Sequence, residues 1–196
     1  MSVPQGVKLE VRLTRPIVLV GLMGAGKTSV GRRLAAALGA DFFDSDHEIE
    51  AAAGLEIREI FERFGEKYFR EGEQRVISRL LQQEPAIIAT GGGAFMSPSI
   101  RQEIADRAIS VWIRADLELL WERVKDKPTR PLLARPDAKE VLSGLLETRY
   151  PVYGKADVIV DSVRGLPHER MAQTILEAVQ AHDKADPGRE PTLVRG

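Results

Sequence analysis

The chain has no cysteine in its 196 residues. Disulfides, thiolate metal sites and thiol catalysis are therefore excluded, and a reducing compartment suits such a composition. Net charge is also nearly absent: 28 Lys and Arg against 29 Asp and Glu leave −1 at pH 7. No global field recruits nucleic acid or a membrane surface, so a small, locally recognised ligand is expected. Long apolar runs are missing as well. The run from Ile17 to Met23 is far too short to span a bilayer, and 1–15 holds no stretch long enough for a signal peptide. A cytosolic protein is expected. The three histidines, His47, His168 and His182, fall at no zinc-ligand spacing. Trp112 and Trp121 fit core positions better than a stacking platform for nucleic acid. Against these absences stand 43% hydrophobic residues and a length that suits one domain, enough for a sizeable core.

The strongest positive signal is Gly21-Leu22-Met23-Gly24-Ala25-Gly26-Lys27-Thr28, directly behind the apolar run Ile17-Val18-Leu19-Val20. It fits the P-loop pattern G-x-x-x-x-G-K-[ST] in the strand–turn–helix context that the pattern needs. The apolar run reads as a buried strand. After Thr28, Val30, Leu34 and Leu38 share one helix face, and Gly39 stands where a C-cap belongs. The glycines let backbone N–H groups curl round a phosphate, and the helix N-terminus adds partial positive charge. Residues Gly24, Ala25, Gly26, Lys27, Thr28 and Ser29 are expected to hold a nucleoside triphosphate. Lys27 can reach the β- and γ-phosphates, and the Thr28 hydroxyl can ligate Mg²⁺. A turn that merely joined strand to helix would not need Lys-Thr at the helix start.

Strand-like and helix-like segments alternate along the chain. Strands are predicted at 17–20, 41–43, 86–89, 108–113 and 158–160. Helices are predicted at 57–64, stopped by Gly65, then at 66–83 with Phe69, Val76, Ile77, Leu80 and Leu81 as its stripe. Ile57, Ile60, Phe61 and Phe64 share the face of the first. Ser97-Pro98 is an N-cap and N1 pair. Further helices carry Leu117, Leu120, Trp121 and Val124; residues 141–149, ended near Pro151; and Met171, Ile175 and Val179. This alternation predicts a parallel α/β sheet with helices on both faces and ligands at the carboxyl ends of the strands. Residues 1–15 read as a loose leader, 16–182 as a single domain, and 183–196, with Pro187, Gly188 and Pro191, as a disordered tail. The basic, proline-rich segment 125–138 reads as a surface loop or as a mobile lid over the phosphates.

Polar groups follow the predicted strand ends. Asp46 can cap the helix carrying Ile49, or bind a substrate hydroxyl and accept its proton while Asp44 supports magnesium through water. Thr90-Gly91-Gly92-Gly93 is a tight turn or a place where backbone approaches a ligand; beside the P-loop the second is favoured. Arg70 and Glu73 are neighbours on a helix. Arg70 and Arg149 could be ordinary surface cations, or a two-arginine clamp for a carboxylate. Arg130 or Arg135 could neutralise a transferring phosphoryl group. Tyr150 and Tyr153 are open in meaning.

These residues bring the chain close to a known family. It resembles shikimate kinases, small P-loop kinases of the nucleoside monophosphate kinase type, from about Ile17 to Asp161. Beyond the P-loop, Phe43-Asp44-Ser45-Asp46-His47-Glu48-Ile49-Glu50 is similar to the family's F-x-D-x-D-x-x-I-E, with Ser45 where Thr is more usual. Ile57-Arg58-Glu59-Ile60-Phe61 and Gly65-Glu66-Lys67-Tyr68-Phe69-Arg70-Glu71-Gly72-Glu73 are similar to I-x-E-I-F and G-E-x-x-F-R-x-x-E. The triple glycine, Arg130-Pro131-Leu132-Leu133 and Arg149-x-Pro151-x-Tyr153 complete the match. The resemblance implies a three-layer P-loop NTPase fold with a five-stranded parallel sheet, order 2-3-1-4-5, substrate-binding helices at about 44–75 and a mobile lid. It implies ATP-dependent phosphorylation of the 3-hydroxyl of shikimate, with Mg²⁺, by a monomer that takes no nucleic-acid or membrane partner. Asp46 then binds the shikimate hydroxyls, Arg70 and Arg149 its carboxylate, and Gly92 lines the site. Lys27 and Arg130 stabilise phosphates, Thr28 and Asp44 serve Mg²⁺, and Arg123 packs against adenine, with Arg164 a candidate for the second adenine contact. A gluconate or nucleoside monophosphate kinase would share the P-loop and lid without needing Asp46, Arg70 and Arg149 together. A nucleotide-binding switch would need ordered switch segments, and the chain has no guanine-reading N-K-x-D motif.

Overall fold

The computed structural model describes residues 11–125 and 136–195. Its centre is strand β2 (Ile17–Val20), buried along its whole length. Parallel strands β3 (Asp41–Asp44), β4 (Ala86–Ala89), β5 (Ile109–Arg114) and β6 (Val158–Asp161) join it in the order β3-β4-β2-β5-β6. Counted from β2, this is the expected order 2-3-1-4-5. The apolar runs of β2 and β4 need cover on both faces, as a parallel sheet provides. Residue pairs Ile17–Ile87 and Ile17–Ile109 fix the register of β2 between its two neighbours. The chain passes to β3 and β4 on one side of β2 and to β5 and β6 on the other, so a crevice opens at its carboxyl end.

Helix α1 (Lys27–Leu38) starts at that end and packs on α7 (His168–Ala185). A Cβ at Gly31 would lie 2.6 Å from the Phe42 ring, so α1 approaches β3 more closely than any other residue would allow. Helix α2 (Ser45–Ala53) leads to α3 (Ile57–Leu81), which breaks at Gly65 with φ 81° and ψ 175°, where the sequence placed a stop. Of the apolar face predicted before the break, Ile60 is buried, while Phe61 and Phe64 are exposed. Ser97 and Pro98 open α4 (Pro98–Arg107) as expected, the Ser97 hydroxyl accepting from the Ile100 N–H. Helix α5 (Leu117–Val124) follows β5.

Two expectations need correction. Helix α6 (Ala138–Tyr153) does not end before Pro151 but contains it. Proline there removes one hydrogen bond of the last turn, and the full burial of Tyr153 two residues later holds that turn in place. The ends of the domain are also better ordered than their composition suggests. Strand β1 (Val11–Leu13) pairs antiparallel with β7 (Leu193–Arg195), and α7 extends past 182. Leu13 and Leu193 are buried in the core, and the Asp183 carboxylate accepts the N–H groups of Thr192 and Leu193. Buried Arg15 donates to the Ala108 carbonyl at 3.1 Å. Two leucines and one aspartate tie down strands in segments that read as a loose leader and, from its prolines and glycine, a disordered tail. The segment predicted as a lid, with Arg130 and Arg135, lies mostly outside the described residues.

Candidate active site

The P-loop bends at Gly21, Gly24 and Gly26, with φ 145°, 82° and 100°, backbone angles that L side chains rarely adopt. Gly26 caps α1 with no side-chain acceptor on the first helical N–H groups, the arrangement that receives an anion. Lys27 Nζ donates to the carbonyls of Gly21 at 2.7 Å and Leu22 at 3.0 Å. From α5, Arg123 donates to the Gly24 carbonyl at 3.1 Å and to the Ser162 hydroxyl at 3.0 Å, so it braces the loop from outside. Partial burial lowers its pKa from the usual arginine value. Met23, Gly24, Gly26, Lys27, Thr28, Ser29, Arg123 and His168 line one cavity of about 340 Å³. Ala25 is buried, and its N–H closes a turn onto Leu22. Arg164 is exposed and paired with Glu122 at 2.6 Å. His168, at the start of α7, lines the cavity; no local motif marks it in the sequence.

At the end of β3, Asp44 uses both carboxylate oxygens. Oδ2 accepts from the Thr28 hydroxyl at 2.8 Å, and Oδ1 accepts from the Asp46 N–H at 3.2 Å. Asp44 is therefore the cap of α2, and the alternative that Asp46 is the cap falls. A hydroxyl beside a carboxylate suits a hard cation such as Mg²⁺. Among the described residues no three His, Cys, Asp or Glu form a metal-holding cluster. Phosphate and water would complete the shell, as is usual for Mg²⁺.

The three glycines after β4 each face a different candidate side chain. A Cβ at Gly91 would lie 2.4 Å from Asp46 Oδ1, one at Gly92 3.1 Å from Arg149 Nη1, and one at Gly93 2.6 Å from Arg70 Nη1. The turn is glycine-rich where three side chains converge, and a Cβ at each position would crowd the end of one of them. The Gly92 position also lies 3.6 Å from the Gly21 carbonyl, at the start of the P-loop. Ser45 fixes the turn by accepting the Gly91 N–H at 3.0 Å.

Arg70 is held by Glu73 at 2.8 Å and Glu66 at 3.3 Å, and its guanidinium lies 5.1 Å from the Phe69 ring centre. Burial opposes its charge, but the two glutamates outweigh burial and raise its pKa. Glu73 is 1% exposed. Burial pushes its carboxyl up from the usual glutamate value, Arg70 and Arg149 pull against that, and nearby Asp46 adds to it. Glu73 is no surface partner. The missed signal was an acid midway between Phe69 and Ile77 on an otherwise apolar helix stripe. Tyr153, completely buried, donates its hydroxyl to the Gly92 carbonyl. Burial raises its pKa, and the charge and hydrogen bond of Arg149 restrain the rise. Tyr150 donates to the Ala115 carbonyl, and burial pushes its pKa up to about 12. The structure therefore gathers Lys27, Thr28 and Asp44, and next to them Asp46, Arg70, Gly92 and Arg149. Arg130 lies outside the described residues.

A family model described as "Shikimate kinase" matches residues 23–180, more than half of the chain. The shikimate kinase of Paramagnetospirillum magneticum is 57% identical over 159 residues, 81% of this chain and 82% of its own length. The chain belongs to the shikimate kinase family. A solved shikimate kinase from Acinetobacter baumannii, in complex with shikimate, superposes with a TM-score of 0.81 at 39% identity, over 85% of this chain and 93% of that one. A gluconokinase from Sinorhizobium meliloti covers 91% of this chain and 99% of its own at a TM-score of 0.59, but at 18% identity it shares the fold alone. In this chain Asp46, Arg149 and Arg70 meet the glycine turn beside Gly21 of the P-loop. No described helix is long and apolar enough to cross a membrane.

Proposed function

We propose that the chain transfers the γ-phosphoryl group of MgATP to the 3-hydroxyl of shikimate. The observation that carries this is the convergence of Asp46, Arg70 and Arg149 on three successive glycines beside Gly21 of the P-loop. One carboxylate and several hydroxyls on the acceptor match two guanidinium forks and one aspartate.

The residues divide the work by what they can donate and accept. Arg70 and Arg149 fix the acceptor by its carboxylate, which leaves the far hydroxyls beside Asp46. Asp46 orients the reacting hydroxyl and takes its proton as the oxygen bonds to the γ-phosphorus. The bond to the bridging oxygen of ATP breaks, and ADP leaves. Lys27 exchanges its loop carbonyls for β- and γ-phosphate oxygens, and Arg130 adds a second positive charge there. Thr28 would ligate Mg²⁺, with Asp44 behind it through water. That ion, when bound, would supply positive charge against the charge developing on the phosphates. Gly24, Gly26 and Ser29 line the phosphates and Arg123 the base.

The test is ADP release with MgATP and shikimate, beside parallel reactions with gluconate, AMP and CMP, and mass spectrometry of the product. Turnover with shikimate alone, giving a monophosphorylated acid, is the expected result. Turnover with gluconate or a nucleotide, and none with shikimate, would overturn the proposal.

A further inference from the structure

The clamp arginine and the glycine turn come from segments far apart in the chain, yet their spacing must be held to a fraction of an ångström for a bidentate contact to form. One side chain touches both. Arg149 and Tyr153 are four residues apart on α6 and share a helix face. The phenol donates to the Gly92 carbonyl, and Arg149 lies close enough to hydrogen-bond the phenol and hold down its pKa. A Cβ at Gly92 would sit 3.1 Å from Arg149 Nη1 and 3.7 Å from the Tyr153 hydroxyl, so guanidinium and phenol both lie against that residue of the turn.

The ring behind that hydroxyl cannot drift. Tyr153 is 0% exposed and packs between Phe95, Trp112 and Tyr150, with ring centres 6.4, 5.9 and 6.2 Å away. Phe95 belongs to the short turn of helix that follows Gly93, and Trp112 to β5 next to the P-loop strand. The phenol is thus a fixed point in the core, tied through its neighbours to the elements that carry both substrates.

We propose that Tyr153 is a positioning residue for the acceptor. It fixes Arg149 against the glycine turn and so sets the geometry in which the carboxylate is gripped. This rests on the acceptor being an acid held by Arg149. Outer partners that orient a metal ligand typically change affinity by 10–100-fold, and Tyr153 orients Arg149 in the same manner.

The experiment is Tyr153→Phe, which keeps the ring and its packing and removes only the hydroxyl. The KM for shikimate should rise about tenfold, with the KM for ATP changed less than twofold. Tyr150→Phe serves as the control: it lies in the same aromatic cluster but donates to Ala115, and the shikimate KM should not move. In an Arg149→Ala background, adding Tyr153→Phe should cost almost nothing more, because the phenol acts through the guanidinium. Equal loss for both substrates, an unchanged shikimate KM, or full additivity with Arg149→Ala would each overturn the proposal. Should Tyr153→Phe fail to fold, Gly92→Ala crowds the same guanidinium and phenol from the turn, and an unchanged shikimate KM there overturns it too. Wild-type enzyme that bound no shikimate in calorimetry would instead remove the functional reading, before any variant was made.

Discussion

In the nucleotide half of the site, Lys27 donates to the carbonyls of Gly21 and Leu22, and Arg123 to that of Gly24. In the acceptor half, Arg70 is paired with the buried carboxylate of Glu73, and Arg149 lies against the phenol of Tyr153. Carbonyl dipoles, unlike a carboxylate, carry no net charge of their own. A triphosphate with several negative charges can draw Lys27 off them readily, since charged acceptors make hydrogen bonds about twice as strong. A single carboxylate has no such surplus. Glu73 cancels part of the positive charge around it, so the acceptor half does not attract anions by net charge. On the proposed function it selects by the fixed geometry of two guanidinium forks, which must be set before the guest arrives.

The sharpest way to separate the halves is Asp46→Asn. Asp46 adjoins the glycine turn, while Lys27 and Arg123 hold the P-loop carbonyls of Gly21, Leu22 and Gly24. The change keeps the shape and removes the proton acceptor, so kcat should fall by roughly 10²–10⁴-fold. ATP affinity, measured by calorimetry, should stay near wild type. Near-normal turnover would remove Asp46 from its role. Next in size is Arg149→Lys. A point charge replaces a planar fork, and the shikimate KM should rise roughly 10–100-fold while the ATP KM holds. If both constants rise together, the halves are not independent and the comparison fails.

The third effect is on stability. Arg70→Ala leaves Glu73 buried without its cation. An uncompensated buried charge is costly, and with Arg70 only half-buried the loss should be about 2 kcal/mol at neutral pH. The sign of its pH dependence follows from the raised Glu73 pKa. The folded state keeps a proton that the unfolded chain releases in the ordinary glutamate range. Stability is then complete at low pH and declines as pH rises through the folded value. Without Arg70 that value rises further, so urea midpoints of the variant should fall more steeply than wild type from the ordinary glutamate range toward neutrality. A flat or opposite slope would mean that Glu73 is ionised with ease and is not the fixed partner supposed here.

The sheet and the nucleotide half were legible in the sequence because their signals are local. Ile17 to Val20 are all buried, and the phosphate loop is eight consecutive residues. Asp46, Arg70 and Arg149 were legible as candidates, with their assembly implied by resemblance. What could not be read were groups defined by distant contacts. Tyr153 finds its acceptor 61 residues away, and Thr14 its carbonyl partner 178 away. Glu73 looks like half of a surface pair until α3 is packed and shows which side faces the core. The triple glycine was read as making room for a ligand; it also makes room for three side chains, each brought from another element. Pro187, Gly188 and Pro191 suggested disorder because composition says nothing about the single buried leucines, Leu13 and Leu193, on which the terminal strands close.

The smallest effect tests the nucleotide half by itself. Arg123 donates to the Gly24 and Ala25 carbonyls and the Ser162 hydroxyl, all neutral acceptors. Gly24 is partly exposed, so water can replace the guanidinium there when it is removed, whereas no such replacement exists for Glu73 in the core. Arg123→Ala should therefore cost only about 1 kcal/mol of folding stability, half of what Arg70→Ala costs, although both remove one partly buried arginine. Its main consequence should be a rise of a few-fold in the KM for ATP, because the brace on the Gly24 turn is gone, with the shikimate KM unchanged. Arg123→Lys should recover part of the loss, since a single donor can still reach a carbonyl. A stability loss as large as that of Arg70→Ala would show that carbonyl partners bind a cation as firmly as a buried carboxylate does, and the distinction between the two halves would disappear.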